Sequence, residues 1–210
     1  MGDIVLNGES SFSESKKMLS DNRSNKVVFV CHCILNSNSK VLERARYGGI
    51  YKEVLEILEK YDVGIVQMPC TEMLYFGSNR YWGGKNVFES AGYRRFCREQ
   101  ASIMADYIQN YHDVGCEVLC ILGCDGSPTC GVNQTNHYYN GGGRPKSLER
   151  GLIDGKGIFM EELESEILSR KLILPQMYGL GMDIASMSME TILSEFNTFM
   201  KGIISQIDKK

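Results

Sequence analysis

Lys26-Val27-Val28-Phe29-Val30-Cys31 is a run of β-branched and aromatic residues that stops at His32-Cys33. It is too short for a helix and apolar on both faces, which predicts a strand buried in a parallel sheet. Val63–Met68 and Glu117–Leu122 repeat the signal, and Leu172–Pro175 is a shorter fourth candidate. Upstream of the second run, Ile50, Val54, Ile57, Leu58 and Tyr61 fall on one stripe of an amphipathic helix. Further helices are predicted over about 87–111 and 157–170. Tyr93, Phe96, Met104, Tyr107, Ile108 and Tyr111 are available for the inner face of the first. Met189, Ile192, Leu193, Phe196, Phe199, Met200, Ile203 and Ile207 form the apolar face of a terminal helix. Strands alternating with helices imply right-handed βαβ units. The expectation is an α/β protein with one Rossmann- or flavodoxin-like domain over residues 26–210. Its parallel sheet of about four strands is flanked by helices. Residues 1–25, rich in Ser, Asn, Asp and Lys, read as a polar leader to which Ile4 and Val5 could add a short strand.

A chain of 210 residues suits one domain. With 23 Lys and Arg against 26 Asp and Glu, the net charge is −3. That is not the footprint of a duplex-binding protein, so no nucleic-acid partner is expected. The longest apolar runs, Val27–Cys31 and Val118–Leu122, are far below the roughly 18 residues of a membrane span. No basic-then-apolar signal opens the chain, which predicts a soluble, cytoplasmic protein. No Gly-x-Gly-x-x-Gly turn follows the first strand, against a dinucleotide cofactor. Gly151–Lys156 imitates a phosphate loop but lacks its spacing and its following Ser or Thr.

The informative departure from average composition is eight cysteines, at 31, 33, 70, 97, 116, 120, 124 and 130. In a reducing compartment such residues more often bind metal or do chemistry than form disulfides. In open parallel sheets ligands bind outside the carboxyl ends of the strands. Cys31 and Cys33 end the first strand, Cys70 lies just past the second, and Cys124 and Cys130 follow the third. Three strands thus deliver thiols to one edge. Cys33, Cys70 and Cys130 sit in loops beside Gly, Pro, Asn or Ser and point to a shared metal or catalytic site. Cys97, Cys116 and Cys120 read as core, since free Cys packs well in apolar interiors. Local zinc knuckles and ferredoxin spacing are both absent.

Cys33-Ile34-Leu35-Asn36, Pro69-Cys70-Thr71-Glu72 and Ser127-Pro128-Thr129-Cys130-Gly131 resemble, in order, the Ala-Cys-Leu-Leu-Gly, Cys-Pro-Glu and Ser-Pro-Ser-Cys-Gly motifs of the 2-thiouracil desulfidase family. Gly155-Lys156-Gly157-Ile158-Phe159 is similar to that family's Gly-x-Gly-hydrophobic stretch. The resemblance covers roughly residues 26–175, and Ser-Pro-Thr-Cys-Gly is its most specific piece. It implies a [4Fe–4S] cluster held by Cys33, Cys70 and Cys130, with an open iron that takes sulfur from a small thiocarbonyl compound resembling thiouracil. Cys31 and Cys124 are the reserve ligands. There are departures. Arg46-Tyr47-Gly48-Gly49 stands late and lacks the family's second Cys, and Thr71 replaces Pro. Phe76–Trp82 replaces a Gly-Leu-Pro-x-Pro-Arg stretch. These differences bear on the substrate more than on the cluster and suggest a divergent, desulfidase-related branch.

Hydrolysis of a thiocarbonyl needs a carboxylate to activate water. Glu72 and Asp125 are the candidate bases, and Ser127 could orient substrate. His32, between two cysteines, is a possible ligand or proton donor. Lys40, Arg44, Arg46 and the Arg94-Arg95 pair could bind an anion or form solvated surface. Asn133–Gly143, with Tyr138 and Tyr139, suits a lid over a flat ring. The competing readings are a non-enzymatic protein that binds or senses metal or sulfide, and a flavodoxin-like binding module with core cysteines.

Overall fold

The computed structural model of the chain describes residues 21–137 and 151–207. Strand β1 is Lys26–Val30, four of whose five residues are buried, as its unbroken apolar run requires. A one-turn helix α1 (His32–Leu35) follows at once, then a 3₁₀ turn at Ser37–Ser39. Helix α2 (Lys52–Lys60) buries Val54 and Leu58 and leads into β2 (Gly64–Gln67). Two short helices, α3 (Thr71–Phe76) and α4 (Lys85–Phe88), precede the long α5 (Ala91–Asp113). Strand β3 (Glu117–Cys124) buries every residue after its first. Next come a small antiparallel pair, β4 (Gln134–Asn136) and β5 (Leu152–Asp154), helix α6 (Ile158–Ser169), strand β6 (Gln176–Leu180) and helix α7 (Met189–Ile207).

The main sheet is four-stranded, in the order β2-β1-β3-β6, and wholly parallel. Connection β1→β2 steps to one side and β2→β3 to the other, so right-handed crossovers put their helices on opposite faces. Accordingly α5 packs along α6, and α2 packs on α7. Val28, Phe29, Val30, Ile121 and Leu122 fill the core between the helical layers with no exposed surface. The direction of winding reverses between β1 and β3, which opens a crevice at their carboxyl ends.

Two expectations need correction. The fourth strand lies at Gln176–Leu180, not at Leu172–Pro175. Helix α5 buries Tyr93, Cys97, Ala101, Met104, Ala105 and Ile108, whereas Tyr107 is half exposed, so its inner face is rotated from the one expected. Residues 1–20 of the polar leader, with Ile4 and Val5, lie outside the described residues, as do Tyr138 and Tyr139 of the expected lid. Asn133–His137 of that stretch belong in part to β4. Among the described residues, no helix is long and apolar enough to cross a membrane.

A cysteine-lined cleft as the candidate functional site

The crevice at the strand ends is a cleft of about 740 Å³ of atom-free space, open at its mouth. Much of that space is open to solvent, and the part that the centre of a water-sized body can occupy is about 80 Å³. Cys33, Cys70, Cys124 and Cys130 all line it, together with Glu72 and Ser127. The thiols reach it by different local devices. Cys33 rides on α1, which turns as soon as β1 ends, and Cys70 is the residue that caps α3. Cys130 is presented by a tight turn after β3, closed by the Cys124 N–H donating to the Cys130 carbonyl at 2.8 Å. The Ser127 hydroxyl oxygen accepts the N–H groups of Thr129 (3.2 Å) and Cys130 (3.0 Å). With both lone pairs taken, what Ser127 can offer a ligand is its O–H.

Five thiols, Cys31, Cys33, Cys70, Cys124 and Cys130, lie within electrostatic reach of one another. All are free. A hydrogen bond between Cys33 and Cys124, aided by the Lys40 ammonium, holds the Cys33 thiol below its ordinary range despite burial. The same bond, burial and the Asp183 carboxylate push Cys124 well up. Cys130 donates to Cys31 and is itself raised, while burial and the neighbouring thiols carry Cys31 to about 11 even against that bond. Burial, then Glu72, pushes Cys70 up to about 12. Cys97 and Cys120 are fully buried, and Cys116 sits at the far end of β3, with its Sγ 3.7 Å from Asn25 Oδ1.

The two candidate bases differ in placement. Glu72 stands on the cleft wall, its Oε2 accepting from Arg80 Nε at 3.0 Å. Arg80 also donates to the Ser39 carbonyl at 2.7 Å, tying the second motif to the first loop. Asp125 is 5% exposed and lies behind the wall. Its Oδ1 accepts the N–H groups of Val132 (2.7 Å), Asn133 (2.9 Å) and Gln134 (3.4 Å), and its Oδ2 accepts Asn133 Nδ2 at 2.9 Å. This carboxylate organises the loop after Cys130 rather than facing the cleft.

Lys40 and Arg44, alternatives for an anion site or surface, are neither solvated nor unpaired. Lys40 Nζ lies 2.9 Å from Asp183 Oδ1 and 3.7 Å from Cys124 Sγ, and Asp183 Oδ2 accepts from Cys124 Sγ at 3.3 Å. Arg44 donates to the Asp183 carbonyl at 2.6 Å and lies over the Trp82 ring, 5.0 Å from its centroid. Arg46 donates to the Met187 carbonyl at 2.8 Å. Arg94 pairs with Glu89, Glu161 and Glu162 away from the cleft. His32 Nδ1 meets Gln67, and its Nε2 is a buried nitrogen without a hydrogen-bond partner.

Sequence reasoning missed Asp183, Arg80 and Tyr93. The Tyr93 hydroxyl lies 2.9 Å from Thr71 Oγ1 and 3.2 Å from Thr129 Oγ1, joining the second and third cysteine motifs through three buried hydroxyls. Asp183 lies three residues past β6, so the rule that located the cysteines would have found it had that strand been placed at 176–180.

Among the described residues, no group of three His, Cys, Asp or Glu side chains converges to hold a single metal ion. A cluster makes a different demand, because its thiolates surround a body of several atoms rather than one point. Thiols from three strand ends line the cleft, and soft thiolates are the donors iron–sulfur clusters select.

No family model matches the chain, and no solved structure matches it. The chain is similar to an uncharacterized protein of Methanocaldococcus jannaschii, 28% identical over 152 residues, which cover 72% of this chain and 84% of that protein.

Proposed function

We propose that the protein is an iron–sulfur-dependent desulfidase that removes sulfur from a small thiocarbonyl compound, with Cys33, Cys70 and Cys130 holding a [4Fe–4S] cluster. The observation that carries this reading is the presence of thiols from three strand ends together with the Glu72 carboxylate on the wall of a single cleft. When bound, such a cluster supplies a Lewis-acidic iron with an open coordination position.

The chain's own residues supply the rest. Glu72 accepts the proton of the attacking water, with Oε2 fixed by Arg80 and Oε1 left for the transfer. Ser127 donates its O–H to a heteroatom of the substrate while its oxygen keeps the Cys130 turn in shape. Trp82 and Tyr81, at the cleft wall, offer flat surfaces to a planar ring. The Lys40 ammonium adds positive charge beside the thiols, favouring anionic sulfur in the cleft.

The test is anaerobic reconstitution of the purified chain with iron and sulfide, followed by assay on free thiouracil, thiouridine and thiolated tRNA. About four irons per chain and sulfide release from the small compounds is the expected result. Colour without turnover would move the protein to metal or sulfide storage. A colourless chain would leave a binding module with core cysteines, and faster turnover of tRNA would overturn the small-molecule substrate.

A further inference from the structure

Two of the proposed ligand thiols have a cysteine neighbour outside the ligand set: Cys33 and Cys124 line one cleft at the ends of the paired strands β1 and β3, and Cys130 and Cys31 act on one another electrostatically. The backbone imposes this. Val30 is in register with Leu122, and the Cys31 N–H donates to the Leu122 carbonyl at 3.1 Å, so the Cys31–Cys33 segment runs beside the end of β3. The Cys124 side chain is fixed from two sides, with Sγ 3.3 Å from Asp183 Oδ2 and 3.7 Å from Lys40 Nζ. The two pairs differ in access. Cys33 and Cys124 both line the cleft, whereas Cys31 stands off its wall; Cys124 and Cys31 are themselves both buried.

We propose that Cys33 and Cys124 are a redox-sensitive dithiol that closes to a disulfide when the metal-free protein meets a peroxide. Thiols that line one cleft from the ends of two paired strands are placed to meet the need for side chains that face one another. The step balances with hydrogen peroxide as oxidant. The Cys33 sulfur attacks one peroxide oxygen, giving a sulfenic acid and one water. The Cys124 sulfur then attacks the Cys33 sulfur, forming the S–S bond and releasing the second water. Two thiols lose two electrons and two protons, and the peroxide takes up both. Closure removes Cys33 from the ligand set, so the oxidised chain cannot be loaded until a reductant reopens it. That consequence rests on the ligands proposed above; the disulfide itself does not.

Cys31 and Cys33 share one tryptic peptide, so variants identify the bond better than peptide linkage. The full chain, prepared with chelator and freed of reductant, is treated with one equivalent of hydrogen peroxide, and its thiols are counted after unfolding. The count should fall by two from the eight of the sequence. The loss should persist in Cys31→Ser and Cys70→Ser and vanish in Cys33→Ser and Cys124→Ser, with Cys124→Ala as a second form and circular dichroism confirming folding of each. An unchanged wild-type count, a loss that survives Cys124→Ser in a folded protein, or its absence in Cys31→Ser would overturn the assignment. In parallel, oxidised chain should take up at least tenfold less iron on reconstitution than chain treated with dithiothreitol. Should the reduced chain also refuse iron while the thiol pattern holds, the cluster reading fails and the disulfide stands.

Discussion

Lys40 and Asp183, 143 residues apart in the chain, meet at 2.9 Å in the cleft wall with side chains only 5% and 13% exposed. Removing one member of such a pair leaves the other buried and uncompensated, which typically costs about 3–5 kcal/mol. Asp183→Ala should therefore lower the unfolding free energy by roughly that amount in urea titrations. Lys40→Met combined with Asp183→Leu should recover most of it. Burial works against the Asp183 carboxylate, but Lys40 and Arg44 more than offset it and hold its titration below the usual range. The contribution is thus present above the unfolded carboxyl value of about 3.9 and is lost as pH falls through the lower folded value. The gap between wild type and Asp183→Asn should stay constant from pH 7 to about 5 and close only in stronger acid. A gap that closes near pH 6 would show that another group controls it.

The cysteines divide by position. Cys33→Ser, Cys70→Ser and Cys130→Ser should each abolish iron uptake on reconstitution. Cys97→Ser, Cys116→Ser and Cys120→Ser should leave it largely intact, with some stability lost at the fully buried Cys97 and Cys120. Iron and sulfide analysis of the six variants decides the matter. Loss of the cluster in Cys116→Ser but not in Cys130→Ser would contradict the placement.

Glu72 and Asp125 are both carboxylates near the cysteine motifs, yet their surroundings predict different phenotypes. Glu72→Gln should lower kcat with little change in KM and keep the fold, since an amide retains much of the contact with Arg80. Asp125→Ala should cost at least about 2 kcal/mol of stability, because it abandons several backbone donors inside the protein. Steady-state kinetics beside denaturant titration separates the two. A stable Asp125→Ala with normal Cys130 chemistry would refute the organising role.

Tyr93→Phe removes the hydroxyl that links Thr71 to Thr129 and leaves two buried hydroxyls to find new partners. A cost of about 1–3 kcal/mol is expected. Cys70 and Cys130, each next to one of these threonines, should react faster with maleimide in the variant. Unchanged labelling rates would mean that the motifs hold their positions without the bridge.

What the sequence disclosed followed from periodicity. Lys26–Val30 and Glu117–Cys124 are legible because parallel strands buried on both faces must be apolar without interruption. Gln176-Met177-Tyr178-Gly179-Leu180 escaped because it has no β-branched residue and holds a glycine in its interior. That glycine answers a tertiary need: a Cβ at Gly179 would lie 2.1 Å from the Asp125 carboxylate. Helices α1 and α3 escaped because one or two turns carry no readable stripe. That cysteines from three strand ends line one cleft was legible from topology alone. The Lys40–Asp183 pair was not, since each residue taken singly resembles a surface charge.

The length of chain between Lys40 and Asp183 also sets an order of events during synthesis. At about 5–20 residues per second, the ribosome needs roughly 7–30 s to make the segment that separates them. Cys31, Cys33 and Cys70 emerge well before it is complete, and they spend that interval without β6 or the carboxylate that follows it. A nascent chain therefore displays reactive sulfur before it owns a finished cleft.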